Sequence, residues 1–252
     1  MHWVDYWEMI NRIGSRYFII AGTAFLFFYI LLKKQIVYKK IQARFPKLKD
    51  YLREIVYSCV TISIFALVPV LIVKNPTVSP YTTYYTHIEK YGWFYFFVAF
   101  PLMFIIHDTY FYWTHRLMHH KKLFKIFHLV HHQSTNPSPW AAYSFHPLEA
   151  VVEAGIFPVF LFTIPIHPLH LLIFFLMMIV YNVYGHLGYE LYPKGFNRHW
   201  VGKWINTSIN HNQHHQYFKG NYGLYFTFWD RMMGTIRKDY DEQFEEIKSR
   251  KG

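Results

Sequence analysis

Four stretches of this chain are apolar enough to lie in a bilayer, and no other feature narrows its fold so far. They are residues 17–32 (YFIIAGTAFLFFYILL), 55–73 (IVYSCVTISIFALVPVLIV), 91–106 running on to Trp113, and 151–184. Inside hydrocarbon every backbone N–H and C=O must find its partner within the segment, so such runs form helices. A crossing takes ~20 mostly apolar residues. The first run is slightly short, and the last is about twice the needed length and broken by TIPIHPLH over 163–170. The break reads as a tight proline turn between two helices, one going out and one returning; a re-entrant hairpin fits the same pattern. Hydrophobic residues make up 53% of the chain and charged residues only 16%, yet mean hydropathy is just +0.05, too low for a bundle wholly in lipid. The expected architecture is therefore all-α, a multi-pass membrane helical bundle of about four transmembrane helices or hairpin halves carrying a polar helical cap.

Charge gives the bundle a direction. Of the 26 Lys and Arg residues, 22 fall in segments 33–54, 114–149 and 186–252, while residues 1–16 and 74–90 hold two each. The excess of basic residues marks the cytoplasmic side. This topology takes no account of histidine, yet it gathers the segments from His115 to His146 and from His186 to His215 at that one face. His2, His87, His167 and His170 fall at the opposite face. The net charge of +11 suits an anionic membrane surface. No zinc-finger pattern, Gly-rich phosphate loop or basic arm is present, so nucleic acid is not an expected partner. Cys59 is the only cysteine, which excludes an internal disulfide and a thiolate-held iron–sulfur cluster. The first apolar run lacks a small-residue cleavage site, so no cleavable signal peptide is expected.

The histidines repeat a pattern. HLVHH over 128–132 and HNQHH over 211–215 share the spacing H-x-x-H-H, and His115 and His119 in HRLMHH stand four apart. Residues three and four apart share a helix face, so each trio is expected to aim its imidazoles at one spot from a single turn. Two trios and a pair exceed the needs of one tetrahedral ion and read as a two-metal site, with roughly four or five nitrogens for each ion. His120 points about 100° from His119 and is left out. His107 lies on the stripe of His119, deeper in the bilayer, and either lines a cavity or packs. His146 and His186 sit where membrane helices meet the cap; His186 is the stronger ligand candidate and His146 a further ligand or support. Metal-bound imidazoles usually donate their other N–H to a carboxylate or carbonyl. Asp108, Glu149, Glu190 and Asp230 are candidate acceptors, or else partners of Arg116, Arg198 and Arg231. His199 and the far-side histidines stand alone and read as surface or core residues.

HRLMHH, HLVHH and HNQHH resemble the three histidine boxes of the fatty acid hydroxylase and sterol desaturase superfamily. The resemblance extends to DTYFYWTHR, FHPLEA and GNYGLYFTFWDRMMGT, and covers roughly residues 95–237. It implies a single membrane domain over 1–252, with N-terminal membrane helices over 10–90 and a catalytic core over about 95–237. It also implies a cytoplasmic cap holding two iron ions and O2-dependent chemistry on a membrane lipid. The residues matching the ligand role are His115, His119, His128, His131, His132, His186, His211, His214 and His215. NYGLYFTFWDR is similar to sterol C5-desaturases, while HPLEA and WDRMMGT are also similar to sterol C4-methyl oxidases. Fatty acid 2-hydroxylases carry a histidine where this chain has Asn182.

On this reading the protein is an oxidoreductase that desaturates or hydroxylates an unactivated C–H bond, with O2 as co-substrate. Alternatives are a carotenoid or fatty acid hydroxylase of the same superfamily, or a zinc-dependent membrane lipid hydrolase. The hydrolase needs few ligands, an open position and a carboxylate base, which nine histidines exceed. A metal-ion transporter needs ionisable residues near mid-bilayer and repeated halves, and the apolar runs offer neither. The chain has neither a fused haem motif nor a dinucleotide fingerprint. A separate electron donor, cytochrome b5-like or ferredoxin-like, is therefore expected, and Lys121, Lys122, Lys125, Lys203 and Lys219 form a basic face to receive it or to meet anionic lipid.

Overall fold

The apolar runs become helices of spanning length. The computed structural model describes residues 3–251, so His2 lies outside the described residues. Four helices are long and apolar enough to cross a bilayer: α1 (Trp3–Phe25, continued by a π-helical turn over Leu26–Leu31), α2 (Leu48–Ile72), α3 (Gly92–Met118) and α8 (Pro168–Gly185). Between α3 and α8 lie α4 (Phe124–Phe127), α5 (Leu129–His132), α6 (Pro147–Ala154) and α7 (Ile156–Thr163). After α8 come α9 (Ser208–Tyr217), α10 (Phe228–Met232) and α11 (Tyr240–Ser249). Strand pairing among the described residues is limited to isolated bridges such as Lys40 with Tyr189.

The first helix begins at Trp3 rather than at Tyr17. Its first half is amphipathic, so a hydropathy run overlooks it, but Ile10 and Ile13 pack on the same core as Tyr17 and Ala21. Packing of one face, more than propensity, is what sustains a helix. The long fourth run divides as expected at its prolines: His167 caps α8 by accepting from the Leu169 N–H, with Pro168 at the first helical position. The outgoing arm is itself broken at Gly155. Its missing side chain lets the Tyr110 hydroxyl reach the Val152 carbonyl at 2.6 Å.

The two ends of the bundle are distinct. At the hairpin tip Thr83 N–H donates to Leu161 O (2.7 Å) and Tyr85 N–H to Ile166 O (3.0 Å), so the tip reaches the 73–91 loop. At the other end Ile41 N–H donates to Gly188 O and Glu190 N–H to Lys39 O, both at 3.0 Å. The α1–α2 connection is thus sewn to the cap. Glu54, buried in α2, accepts from Ser134 (2.7 Å) and Ser138, which holds the loop after the second histidine pair. The basic segments and the nine box histidines therefore share one end, and His87, His167 and His170 lie at the other.

In a Cys59→Ser background, single cysteines at Lys122→Cys and Lys219→Cys should react with a membrane-impermeant maleimide from one side of sealed vesicles. His87→Cys should react only from the other side. Labelling of all three from one side would break this topology.

Candidate metal centre

The nine histidines come from four places that converge beneath the bundle. His115 lies in the last turn of α3 and His119 caps it; His128 joins α4 to α5; His131 and His132 end α5. His186 caps α8, and His211, His214 and His215 lie along α9. They form two groups, His115, His119, His128, His132 and His214 in one and His131, His186, His211 and His215 in the other. Within each, one ligand atom per residue lies within 4.8 Å of all the others. All nine are buried except His119, which is half-buried.

Neither trio aims at one spot. His128 and His132 serve the first group and His131 the second, while His211 and His215 serve the second and His214 the first. Helix geometry explains the split. Residues four apart are offset by about 40° around the axis, whereas positions i+3 and i+4 differ by about 100°. The i,i+4 pairs therefore stay together and the i+3 member crosses to the neighbouring group. Each box contributes to both groups except HRLMHH, whose two ligand candidates form an i,i+4 pair.

The spacing within the groups fits an ion. Nε2–Nε2 separations are 2.9 Å for His115–His128, 3.2 Å for His119–His214 and 3.0 Å for His132–His214. In the second group His186 lies 3.3 Å from His131, 3.0 Å from His211 and 3.1 Å from His215. Metal–nitrogen bonds of about 2.0–2.1 Å place neighbouring nitrogens roughly 2.9–3.4 Å apart. The other ring nitrogens fix the tautomers. Nδ1 donates to the Tyr222 carbonyl from His115 (2.9 Å), to the Ser144 carbonyl from His131 (3.2 Å), to the Asn182 carbonyl from His186 (2.8 Å) and to the Gly220 carbonyl from His214 (2.8 Å). With Nδ1 protonated, Nε2 carries a bare lone pair. His131 and His186 then face each other through lone pairs with no proton between them. His115 and His128 meet in the same way once His128 Nδ1 donates to an ionised Glu149, whose Oε1 lies 2.6 Å from it. Protonation does not relieve the crowding: burial, reinforced by neighbouring imidazoles, holds His128, His131, His132, His211, His214 and His215 well below the ordinary histidine range. A cation in each group resolves it.

Among the carboxylates weighed from sequence, only Glu149 touches a box histidine. Burial, with Glu153 nearby, pushes its carboxyl well above the usual range. A divalent ion across the His128 ring supplies the positive charge that would stabilise the ionised carboxylate. Asp108 instead accepts from the Tyr225 and Phe226 N–H groups (2.8 and 3.1 Å) and Asp230 from those of Tyr222 and Gly223 (2.9 and 2.8 Å), fixing the segment after α9. Glu190 accepts from the Ile209 N–H at 3.1 Å and so anchors the start of α9. None of the three forms an ion pair with Arg116, Arg198 or Arg231 among the described residues. His146 belongs to neither group. Its Nδ1 accepts from the Leu148 N–H and caps α6, as its place before Pro147 allows. Two backbone supports had no sequence signal: the Ser144 carbonyl and the Gly220 carbonyl, the latter presented by a left-handed glycine (φ 81°) in the turn after α9.

A cavity of about 330 Å³ runs between α1, α2, α3, α6 and α8 toward the 73–91 loop, and none of the nine histidines forms part of its wall. Phe111 and Phe145 line it, and their rings lie 4.9 Å from His115 and 5.1 Å from His131. His107 lines it too, its Nδ1 bonded to the Tyr225 hydroxyl at 3.0 Å. The aromatic residues around residue 107 thus include cavity walls, which the apolar run alone does not distinguish from lipid-facing surface.

Glu149→Gln should weaken metal retention about 10–100-fold, because the partner of His128 loses its charge. His146→Ala should leave metal content unchanged. Metal analysis of the two purified variants checks both, and retention unaltered in Glu149→Gln would contradict the arrangement. Chelation should lower the unfolding temperature of the wild type, since an ion bound only by the folded chain stabilises it.

The family model described as fatty acid hydroxylase matches residues 100–235. A Delta(7)-sterol 5(6)-desaturase of Gibberella zeae is 30% identical over 238 residues, covering 92% of this chain and 72% of the relative. A Delta(7)-sterol 5(6)-desaturase of Aspergillus fumigatus is 32% identical over 61% of this chain and 52% of its own. The lathosterol oxidase of Homo sapiens is 31% identical over 58% of this chain and 48% of its own. The chain therefore spans most of the first relative and about half of the other two. No solved structure matches. The matched region holds all nine clustered histidines, and this integral membrane protein belongs to the fatty acid hydroxylase family, on its sterol desaturase branch.

Proposed function

We propose that the protein is a di-iron membrane oxidase that desaturates, or hydroxylates, an unactivated C–H bond of a sterol or sterol-like lipid using O2. The observation that carries this reading is the division of nine imidazoles, eight of them buried, into a group of five and a group of four, each one aromatic ring away from a largely apolar cavity. The relatives named for sterol 5(6)-desaturation and lathosterol oxidation support desaturation of a ring system as the first outcome to test. The five-nitrogen group exceeds a tetrahedral zinc site, and imidazole sets of this size suit iron. Bound iron would supply the activation of O2 that no side chain can provide.

The rest falls to the chain itself. The group of five would be held by His115, His119, His128, His132 and His214, and the group of four by His131, His186, His211 and His215. The cavity takes the apolar body of the lipid directly from the membrane and keeps water from the reacting carbon. Phe111 and Phe145 separate the cavity from the imidazoles by one ring's thickness, so the lipid approaches both groups from the bilayer side. The basic end, including the exposed Lys121, Lys122, Lys125 and Lys219, lies on the cytoplasmic side by the charge rule and would receive an acidic electron donor of the cytochrome b5 or ferredoxin type. Lys203 is half-buried and flanks that surface.

Expression in cells should convert a membrane lipid to a product lighter by two hydrogens or heavier by one oxygen, detected by lipid mass spectrometry. His131→Ala and His214→Ala should abolish the product while the protein still inserts. His87→Ala should leave it near the wild-type level. Product formation unchanged in both cluster variants would refute the reading.

A further inference from the structure

We propose that Glu153 receives a hydroxyl group of the lipid, making the cavity selective for substrates that carry an alcohol; this rests on the cavity being the substrate site of the function proposed above. Glu153 lies in α6, four residues after Glu149. Four residues advance about 6 Å along a helix, so its carboxyl group sits about one turn from the carboxyl that holds His128. It is only 9% exposed, and it forms part of the cavity wall. Around it the wall is apolar, with Phe65, Val68, Phe157 and Phe175.

Two tyrosine hydroxyls that feel its charge are already engaged. The Tyr110 hydroxyl donates to the Val152 carbonyl (2.6 Å) and the Tyr225 hydroxyl pairs with His107 Nδ1 (3.0 Å). Arg12 and Arg16 line the far part of the same cavity, but neither forms an ion pair with Glu153 among the described residues. Glu149 turns one oxygen to His128 and leaves the other without a hydrogen-bond partner. A carboxyl group with no hydrogen-bond partner in an apolar wall is costly, and a glutamate in a helix of this kind gains nothing from turning inward unless something inside meets it. A lipid hydroxyl answers the geometry: it donates to a carboxyl oxygen and is small enough to enter between the aromatic rings. A lipid without a polar group leaves the carboxyl unpaired.

The test uses the metal-loaded, full-length protein in nanodiscs and two probes, a Δ7-sterol with a free 3-hydroxyl and its 3-methyl ether. Binding is measured without reductant, by displacement of the tritiated alcohol, and turnover is measured with an electron donor. Wild-type protein should bind the alcohol roughly ten- to hundredfold more tightly than the ether, the range expected when a buried polar group loses its partner. Glu153→Gln, whose amide oxygen still accepts, should keep most of this preference. Glu153→Leu should bring the ratio close to one with metal content unchanged, an effect that a merely structural carboxylate would not produce. A wild-type ratio near one, or a ratio unchanged in Glu153→Leu, overturns the inference. Preference in binding without oxidation of either lipid supports the inference and refutes the oxidase reading. Oxidation of both lipids without preference does the reverse.

Discussion

The structure turns on lone pairs that cannot be left facing one another. Nine imidazoles point nitrogens at two small volumes, and the opposite nitrogens of several are committed to carbonyls or to Glu149. Those second partners decide which nitrogen is bare, so the coordination chemistry is set by the backbone around the histidines as much as by the histidines themselves. The carbonyls of Ser144, of Asn182, and of Gly220 and Tyr222 come from three separate parts of the chain. Closing the centre therefore means bringing the second box, the end of α8 and the turn after α9 together at once.

That requirement explains a helix that would otherwise have no business being buried. In α9 every residue from Ser208 to His215 is buried, although the sequence SINHNQHH offers a single aliphatic side chain. Its N-terminus is held by the Thr207 hydroxyl and Glu190, and its far end by a left-handed Phe218. Hydrophobic burial contributes little to it. Several of its polar atoms lack a partner within the protein, among them Asn210 Nδ2, Asn212 Nδ2, Gln213 Nε2 and His215 Nδ1. A helix so composed is stabilised by what its imidazoles bind, and metal binding and folding of the cap are then one process.

Much of this was legible in the sequence, for identifiable reasons. Lipid solvation imposes long apolar runs, and basic residues collect at one end, so the bundle and the side on which the histidines gather followed from composition along the chain. The box histidines were legible because i,i+4 spacing survives in any helix. What spacing concealed was the exchange between boxes: His131 and His214 share a turn with their neighbours yet belong to the other group. That exchange depends on how α5 and α9 face each other, which is a tertiary property. His146 was the weaker candidate, a further ligand or a support; the residue before a proline at a helix start is also where a side-chain acceptor is wanted, and there its Nδ1 caps α6. Asp108, Glu190 and Asp230 were expected to accept from imidazoles, but most of their donors are backbone N–H groups, which leave no mark in a sequence, joined by the Tyr184 and Thr235 hydroxyls.

The crossing of the boxes also has a mechanical consequence. If each trio held one ion, the two ions would ride on separate elements and their separation would follow any movement of α5 against α9. As arranged, each of these helices contributes to both groups, with His132 and His131 on one and His214 and His215 on the other. The stack of His132 on His215 (4.9 Å) and the tilted contact of His128 with His131 (5.2 Å) run across the boundary between groups. A displacement of either helix then strains both groups together, and the distance between them is fixed by short-range packing. On the proposed function, a pair of ions acting on one O2 molecule would need that fixed distance, and a cavity delivering a lipid to both groups from the same side would need it equally. The interlocked boxes achieve it without any bridging carboxylate among the clustered residues, leaving Glu149 to orient His128 from outside.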